Sequence, residues 1–261
     1  MFDLLSIAVP FRMQPGLQRI VGARHLTPMV RESALWQEKR RVVAAGTSRL
    51  CVPGYDPQPA IAAILRQAKT EGLAVASEPI ELAFEQDFAV LDGASTTLPW
   101  LCVCAPSHWA PEEKLGLPFT AVHAPVADNQ LLLGAARQLA QLVTSGGEWE
   151  RFVWTLTPSG RYDQHPQRHA RTPWPQDEGE TFAQQLYLRA ERQTFFPLAD
   201  GSSQAVFTIH VMLQPLVDAV ATPAHALRLH EALATMSNTV LAYKGLAPAR
   251  DRLLAWLKGK A

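Results

Sequence analysis

His123 is the side chain whose neighbours best suit a ligand to a metal ion. It follows the apolar residues Phe119 and Val122 and precedes an Ala-Pro pair. A neutral imidazole at the mouth of an apolar region is what a haem iron or another metal needs as an axial ligand. Pro125 disfavours a helical Ala124, so we expect an extended backbone that fixes the direction of the imidazole. Taken alone, however, the pattern favours a core histidine that is hydrogen-bonded to the backbone.

A second set of polar groups lies on the predicted strand Tyr187–Thr194. Alternation along a strand places four side chains on one face: Tyr187, Arg189, Glu191 and Gln193. Arg192 lies on the other face. Three charges within four residues are unfavourable on a sheet unless they pair or face water. The strand therefore carries either a solvated Arg189–Glu191 pair or a pocket that orients a small polar substrate. His210, on the next strand, joins that pocket if its face meets the first.

The other chemically capable side chains favour structural roles. His165 and His169 are four residues apart, but a proline lies between them, so we interpret them as exposed loop histidines. His108 follows a proline break and either lines a pocket or forms a polar rim. Cys102 and Cys104 are either a metal or redox pair or two buried core residues. The second interpretation is favoured because no further ligand completes a site.

The composition indicates a globular protein with a sizeable core. Of its 261 residues, 48% are hydrophobic and 18% are charged, and 24 basic residues balance 24 acidic ones. This balance argues against nucleic acid or an anionic membrane surface as a partner, and it suits self-association or contact with another protein. Three cysteines form no even disulfide framework, which favours a reducing compartment. With no secretory signal and no run of about 20 apolar residues, we expect a soluble, cytoplasmic protein.

Periodicity predicts five strands and five main helices. The strands are Phe88–Leu91, Trp100–Ala105, Arg151–Thr157, Gln185–Pro197 and Gln204–Leu213. The helices are Pro28–Ala45, Pro59–Glu71, Asp128–Thr144, Thr222–Tyr243 and Arg250–Lys258. This order predicts an α+β fold with a PAS-like antiparallel five-stranded sheet and helices inserted after its second strand. We expect a helical extension over residues 1–83, the sheet core over 84–214 and C-terminal helices over 215–261.

Seven short segments, in order along the chain, resemble the alpha subunit of the haem-dependent oxidative N-demethylases. They are Phe11–Leu17, Gln86–Phe88, Cys104–Gly116, Val122–Val126, Arg189–Phe195, Phe207–Ile209 and Tyr243–Gly245. The strand with Glu-Arg-Gln-Thr and the following strand with Phe-Thr-Ile carry most of the resemblance. The chain departs from the family pattern at two places, residues 210–212 (His-Val-Met) and Val153. We expect residues of greater polarity there in many relatives.

The resemblance implies a haem-binding PAS-like fold. It also implies oxidative removal of a methyl group from a small secondary amine such as dimethylamine, with O2 and NADPH. Partner subunits would carry FMN and a 2Fe–2S centre and would bind NADPH and tetrahydrofolate. This division agrees with the absence from the sequence of the common glycine-rich nucleotide-binding motifs.

The resemblance implies roles for individual residues as well. His123 becomes the proximal haem ligand. The residues that border the cofactor are Phe119, Val122, Trp154 and Tyr187. Arg189 or Arg192 donates a hydrogen bond to O2, and the choice between them depends on strand register. Glu191 holds the protonated amine, and His210 is a further catalytic candidate. A haem sensor without turnover and a degenerate interaction subunit without haem remain alternatives.

Overall fold

One antiparallel sheet of seven strands organises the chain. The strands are β1 (Gln18–Arg19), β2 (Arg49–Cys51), β3 (Asp87–Asp92), β4 (Trp100–Cys102), β5 (Trp149–Thr157), β6 (Tyr187–Pro197) and β7 (Gln204–Pro215). Their order across the sheet is β1-β5-β6-β7-β3-β4-β2, and every neighbouring pair is antiparallel. The structure is a computed structural model that describes residues 2–20, 22–74, 78–199 and 201–261.

The five predicted strands correspond to β3, β4, β5, β6 and β7, which form the continuous centre of the sheet. The prediction of a sheet limited to five strands is wrong, because β1 and β2 extend it at its two edges. These edge strands have two and three residues, too few for a period to be recognised in the sequence. The combination of helices with an antiparallel sheet confirms the predicted α+β class.

Eleven α-helices lie in the described part of the chain. They are α1 (Ala34–Ala44), α2 (Gln58–Thr70), α3 (Ile80–Ala83), α4 (Phe119–His123), α5 (Gln130–Gly134), α6 (Ala136–Thr144), α7 (Gly179–Ala183), α8 (Leu216–Ala219), α9 (Pro223–Thr235), α10 (Asn238–Tyr243) and α11 (Arg250–Lys258). Short 3-10 helices occur at Leu4–Ser6, Pro111–Glu113 and Ala247–Ala249. Within these described ranges, no helix is both long and apolar enough to cross a membrane.

Local signals set the ends of the helices that the sequence predicts well. The bounds of α2 lie one residue from the prediction, and those of α11 coincide with it. α1 is shorter than predicted at its start. Ser33 caps it by accepting a hydrogen bond from the backbone N–H of Trp36, so residues 28–33 stay outside the helix.

Two predicted helices are each divided in the structure. Residues 128–144 contain α5 and α6, which are separated at Ala135. Residues 222–243 contain α9 and α10, because Ser237 caps a new helix by accepting a hydrogen bond from the N–H of Val240. Leu131, which was expected on the buried face of the first of these helices, is 74% exposed. The buried stripe in that region therefore belongs to α6 alone.

The register of β5, β6 and β7 gives the sheet two chemically different faces. We call one of them the Glu191 face. It carries Arg151, Val153, Thr155, Arg189, Glu191, Gln193, Ile209 and Val211. The opposite face, which we call the Trp154 face, carries Trp154, Leu156, Leu188, Ala190 and Met212. The alternation predicted for β6 is thus confirmed, since Arg189, Glu191 and Gln193 share one face.

Apolar clusters cover both faces of the sheet. The Trp154 face packs against the N-terminal segment and the C-terminal helices, through residues such as Leu4, Leu229 and Trp256. The Glu191 face packs against α1 through Leu35 and against α6 through Val143. The sheet is therefore an inner layer, and polar side chains on its strands need partners or ligands.

Candidate functional site

His123 ends the short helix α4. Its Nδ1 lies 2.8 Å from the carbonyl oxygen of Phe119, one turn earlier, and the two rings stack with centroids 4.0 Å apart. The expectation of an extended Ala124 is wrong, because Ala124 has the helical angles φ −54° and ψ −37° despite the proline that follows it. The helix and its hydrogen bond, rather than a proline-fixed strand, therefore orient the imidazole.

The protonation state of His123 follows from this contact. A carbonyl oxygen only accepts hydrogen bonds, so Nδ1 carries the proton and Nε2 carries the lone pair. Burial lowers the pKa of His123 to about 4; the Phe119 hydrogen bond opposes this, and the charges of Arg151 and Lys114 add to it. Nε2 makes no hydrogen bond within the described residues. His123 thus has the anchored, neutral form that metal-ligating histidines show.

Arg189 is buried, and its hydrogen bonds give it a structural role. It is 1% exposed, and its guanidinium donates to Ser107 Oγ at 2.8 Å. It also donates to three backbone carbonyl oxygens at 2.9–3.1 Å, those of Ala105, Arg161 and Tyr162. Burial lowers its pKa, and nearby carboxylates, Glu191 first, oppose that effect. Because four of its five N–H donors are used, Arg189 mainly ties two loops to β6.

Glu191 is held by neutral donors. Ser107 Oγ donates to its Oε1, and Gln193 Nε2 donates to its Oε2 at 2.7 Å. Ser107 also accepts from Arg189, so one hydroxyl links the guanidinium to the carboxylate. Glu191 is 9% exposed, and within the described residues it forms no direct ion pair. Each carboxylate oxygen keeps a lone pair for a further donor.

Arg151 lies on the same face and directly opposite Gln193. It is therefore a diagonal neighbour of Glu191, at a Cβ separation of about 7 Å. Its Nε is buried and has no hydrogen-bond partner in the part of the chain that the structure describes. Burial lowers the pKa of Arg151, and Glu191 is the largest opposing influence. A buried guanidinium nitrogen without an acceptor is unfavourable, so it marks a place for a ligand oxygen.

The end of α10 brings Tyr243 and Lys244 close to these charges. Lys244 Nζ donates to the carbonyl oxygen of Trp154 at 2.6 Å. Burial lowers the pKa of Lys244 to about 8, with Glu191 raising it and Arg151 lowering it further. Burial raises the pKa of the Tyr243 hydroxyl, and Glu191 adds to that increase. We call the four side chains whose charges influence one another's pKa values the polar cluster: Arg151, Glu191, Tyr243 and Lys244.

The structure does not bring Arg192 and His210 to the polar cluster. Arg192 lies on the Trp154 face, where its Nε donates to Glu150 at 2.8 Å. His210 lies directly opposite Arg192 on β7, and its Nε2 is 2.9 Å from a carboxylate oxygen of Glu85. The expectation that His210 joins the Arg189 side of the strand is therefore wrong. Of the two candidate arginines, Arg189 alone shares a face with Glu191.

The residues that were predicted to border the cofactor do not lie together in the structure. Phe119 and Val122 belong to α4 together with His123. Trp154 lies on the opposite face from Arg151 and Glu191, in the apolar core beneath the C-terminal helices. Tyr187 shares the face of Glu191 but is the first residue of β6, about 13 Å along the strand from Glu191. The structure therefore groups only Phe119 and Val122 with His123.

A surface cleft opens beside the polar cluster. Its walls include His108, Thr155, Thr157, Arg171, Trp174, Lys244 and Gly245. Partial burial, followed by the charges of Arg171 and Arg189, lowers the pKa of His108 to about 4. His108 also has φ +59°, a left-handed conformation that non-glycine residues rarely adopt. The described wall residues include no acidic side chain, so the cleft is electropositive.

The remaining candidate ligands have structural surroundings. His165 is 2% exposed and its Nε2 lies 3.1 Å from Glu112, so the interpretation as an exposed loop histidine is wrong for this residue. Cys102 and Cys104 are both buried, and burial raises the pKa of both thiols, as expected for core residues. Over residues 2–20, 22–74, 78–199 and 201–261, no three His, Cys, Asp or Glu side chains converge on a metal site.

Segments that are distant in the sequence meet at the polar cluster. Lys244 lies 5.5 Å from the ring centroid of Phe11 and also 5.5 Å from that of Trp154. Ser107 approaches from the loop after β4 and contacts Glu191. These residues come from four of the segments on which the resemblance rests: Phe11–Leu17, Cys104–Gly116, Arg189–Phe195 and Tyr243–Gly245. The resemblance therefore maps onto one region of the fold.

The fold and the site define an α+β protein with a neutral, anchored histidine and a polar cluster beside β5 and β6. Residues 65–254, more than half of the chain, match the family described as haem-dependent oxidative N-demethylase, alpha subunit-like. The chain belongs to this family. The family description implies haem-dependent oxidation and partner subunits in general. The matched range contains β3 to β7, His123 and the whole polar cluster.

Sequence reasoning missed Arg151 and Ser107 as members of the site and used Lys244 only as part of a resembling segment. A signal for Arg151 exists, because alternation along β5 places it on one face with Val153 and Thr155. Arg151 is the single charge on a strand face that otherwise carries tryptophan, valine and threonine. Ser107 has no comparable signal, since only the folded loop places its hydroxyl between two charged residues.

Proposed function

We propose that this chain is a haem-dependent oxidative N-demethylase-like oxygenase subunit that acts on a small secondary amine such as dimethylamine, with O2 and electrons from a partner reductase. The state of His123 carries the proposal: it is neutral, anchored through Nδ1 and, in the described structure, without a partner at Nε2. The family match supports the same assignment.

The residues around His123 fit a haem. Nε2 of His123 is the proposed ligand atom, and Phe119 and Val122 are apolar neighbours within the same helix. Haem bound there supplies the activation of O2 that oxidation of a methyl group requires. The chain contributes the hydrogen bond that orients the imidazole and the burial that keeps it unprotonated. Arg189 has too few uncommitted donors to serve reactants and instead supports Glu191 through Ser107.

Glu191 is the proposed binding group for the ammonium of the substrate. Ser107 and Gln193 fix the orientation of its carboxylate and leave lone pairs for the N–H donors of an amine. A contact of this kind is charge-assisted, and low exposure to water strengthens it. In the net reaction one C–N bond breaks. Dimethylamine, O2, two electrons and two protons give methylamine, formaldehyde and water, with NADPH as the source of electrons.

The remaining components are proposed to reside on partner subunits. These are the NADPH site, FMN, the 2Fe–2S centre and the tetrahydrofolate that accepts formaldehyde. The chain itself contains neither of the common glycine-rich nucleotide motifs. We also propose a cytoplasmic location, which the free thiols of Cys51, Cys102 and Cys104 support, and a homo-oligomer in addition to the partner contacts.

A PAS-like core over residues 84–214 forms part of the same proposal. The order of the central strands, β5-β6-β7-β3-β4, and the placement of α4, α5 and α6 between β4 and β5 support it. Residues 1–83 and 215–261 are then additions around this core.

A haem sensor without turnover is the second candidate, and a subunit that binds no haem is the third. Val153 favours these alternatives, because it lies directly opposite Glu191 and offers no polar group to a substrate held there. Glu191 favours the enzyme, because a haem sensor that binds only a gas has no need of an ammonium site.

The ultraviolet–visible spectrum during titration with haemin tests the assignment of His123. The wild-type protein is expected to give a shifted Soret band that saturates at one haem per chain, and His123→Ala is expected to lose it. His230→Ala, on α9, is the matched control and should retain the band. An unshifted Soret band in the wild type, or one unchanged in His123→Ala, would contradict haem ligation by His123.

Oxygen consumption by the haem-loaded protein, with a chemical reductant in place of the partner, separates enzyme from sensor. Consumption that depends on dimethylamine and releases formaldehyde supports the demethylase. Consumption that is independent of amine, or O2 uptake without formaldehyde, supports a protein without amine turnover.

A further inference from the structure

Arg151 and Glu191 carry opposite charges on one face of neighbouring strands but do not neutralise each other. The carboxylate of Glu191 is bound by Ser107 and Gln193, and the Nε of Arg151 is buried without a partner in the described residues. A buried Nε without an acceptor is costly, so the arrangement is not one that core packing alone would favour. Two separated and opposite charges that face one region are complementary to a ligand with two charges of its own.

The net charge of the polar cluster indicates which charge a bound ligand should contribute. The cluster holds one carboxylate, that of Glu191, and two cations, Arg151 and Lys244. The two cations are close enough for the charge of Arg151 to lower the pKa of Lys244. Lys244 has a carbonyl acceptor in Trp154, but it has no ion-pair partner in the described structure. A simple dialkylammonium ion at Glu191 would add a third cation. A ligand that also brings a carboxylate would restore the balance.

We infer that the amine this site binds most tightly is zwitterionic, a secondary ammonium that carries a carboxylate, as in an N-methylated amino acid. Its ammonium binds Glu191, and its carboxylate binds the guanidinium of Arg151. This inference rests on the proposed function, since it names the substrate class of the same site. Guanidinium is the cation best suited to a planar carboxylate, and a charge-assisted contact of this kind satisfies the unpartnered Nε.

A carboxylate at Arg151 has two possible sources. One is the substrate, as we infer, and the other is a propionate side chain of the haem. Binding to the haem-free protein separates them, because only the substrate is then present. The probes are N-methylglycine, dimethylamine and acetate, each titrated into the wild-type protein by isothermal titration calorimetry, with and without bound haemin.

N-methylglycine is expected to bind at least tenfold more tightly than either dimethylamine or acetate. Arg151→Gln should weaken N-methylglycine binding by roughly tenfold or more while leaving dimethylamine binding almost unchanged. Glu191→Gln should weaken the binding of both amines. Arg137→Gln, an exposed arginine on α6, is the matched control and should bind like the wild type. Arg151→Lys retains the charge and provides a second variant if the glutamine variant fails to fold.

Equal affinity of the wild type for N-methylglycine and dimethylamine would overturn the inference. So would an Arg151→Gln variant that loses affinity for haemin but not for N-methylglycine, because the carboxylate would then belong to the cofactor. Neither result depends on catalysis. A wild-type protein that fails to bind haemin would instead contradict the proposed function, and the haem-free titrations would still decide between the two kinds of amine.

Discussion

Arg189 and Glu191 lie two residues apart on one face of β6, yet they are joined by the hydroxyl of Ser107 and not by a direct ion pair. The guanidinium donates to Ser107 Oγ at 2.8 Å, so the single hydroxyl proton is available to Glu191. Ser107 belongs to the loop after β4. The bridge therefore fixes the carboxylate of the proposed ammonium site and attaches that loop to the sheet at the same time.

Removal of this bridge is expected to destabilise the protein. Ser107→Ala leaves the Nε of Arg189 and one oxygen of Glu191 without their partner in a largely buried setting. We expect a loss of about 1–3 kcal/mol in the free energy of unfolding, measured by urea denaturation. Ser107→Thr retains a hydroxyl and should lose much less. A Ser107→Ala variant within about 0.5 kcal/mol of the wild type would show that the bridge adds no stability.

The buried ion pair of Lys39 and Asp87 connects α1 to β3. Their nitrogen and oxygen lie 2.9 Å apart, and Lys39 also donates to the carbonyl oxygens of Phe84 and Gln86. Lys39→Met should therefore reduce the free energy of unfolding by about 3–5 kcal/mol, because it leaves the Asp87 charge buried and unpaired. The variant Asp87→Asn removes the Asp87 charge and so provides the second change that is needed to test the pairing.

A double-mutant cycle with Lys39→Met and Asp87→Asn tests the pairing directly. The double variant is expected to lose clearly less stability than the two single losses added together. Additive losses would mean that each side chain acts through its backbone contacts and that the ion pair itself contributes nothing.

Gly245 combines a left-handed backbone with a close contact. Its φ is +68°, and an added Cβ would lie 2.2 Å from a guanidinium nitrogen of Arg171. Gly245→Ala should therefore cost only a little more than the roughly 1–2 kcal/mol of left-handed strain, because the contacted guanidinium is the end of an exposed, flexible side chain that can move away. Gly46→Ala is the matched control, since Gly46 has φ +70° and open space around it. Urea denaturation of both variants measures the difference.

The excess cost at Gly245 should disappear when the contact is removed. In the Arg171→Ala background, Gly245→Ala is expected to cost about as much as Gly46→Ala. If the excess persists in that background, the contact with Arg171 is not its cause.

Strong periodicity made the centre of the fold predictable. β6 and α11 carry long patterns with clear ends, and their observed positions agree with those predicted. The breaks within the two divided helices were not predictable in the same way. No glycine or proline marks the start of α10, and the cap formed by Ser237 is only one of many serine positions that could serve. Short edge strands such as β1 depend on pairing with β5 and leave no pattern of their own.

Part of the site was predictable from the alternation within single strands, and the rest depends on how neighbouring strands pair. Alternation within β6 was sufficient to place Arg189 and Glu191 together and Arg192 apart. Alternation within β7 could not show which of its faces meets Glu191. The register does so, because His210 lies opposite Arg192 and Val211 lies opposite Glu191. Pairing between strands is also what makes Arg151 a neighbour of Glu191.

His108 provides a pH-dependent prediction for the cleft. Partial burial, with the charges of Arg171 and Arg189, lowers its pKa from 6.5 to about 4. Between these two pH values the unfolded chain binds a proton at this position and the folded chain does not. The free energy of unfolding should therefore be unaffected by His108 above pH 6.5 and should decrease as the pH falls from 6.5 towards 4.

Two variants isolate this contribution from other groups that titrate in acid. His108→Asn removes the imidazole, and asparagine tolerates the left-handed backbone of this position, so the variant should show a smaller decrease in stability over that pH range. Arg171→Gln removes one of the charges that disfavour protonation, so it should raise the pKa of His108 towards 6.5. NMR titration of the histidine ring signals measures this pKa directly. A wild-type pKa near 6.5 would show that His108 is not desolvated in the folded protein, and a pKa that Arg171→Gln leaves unchanged would show that the charge of Arg171 does not act on it.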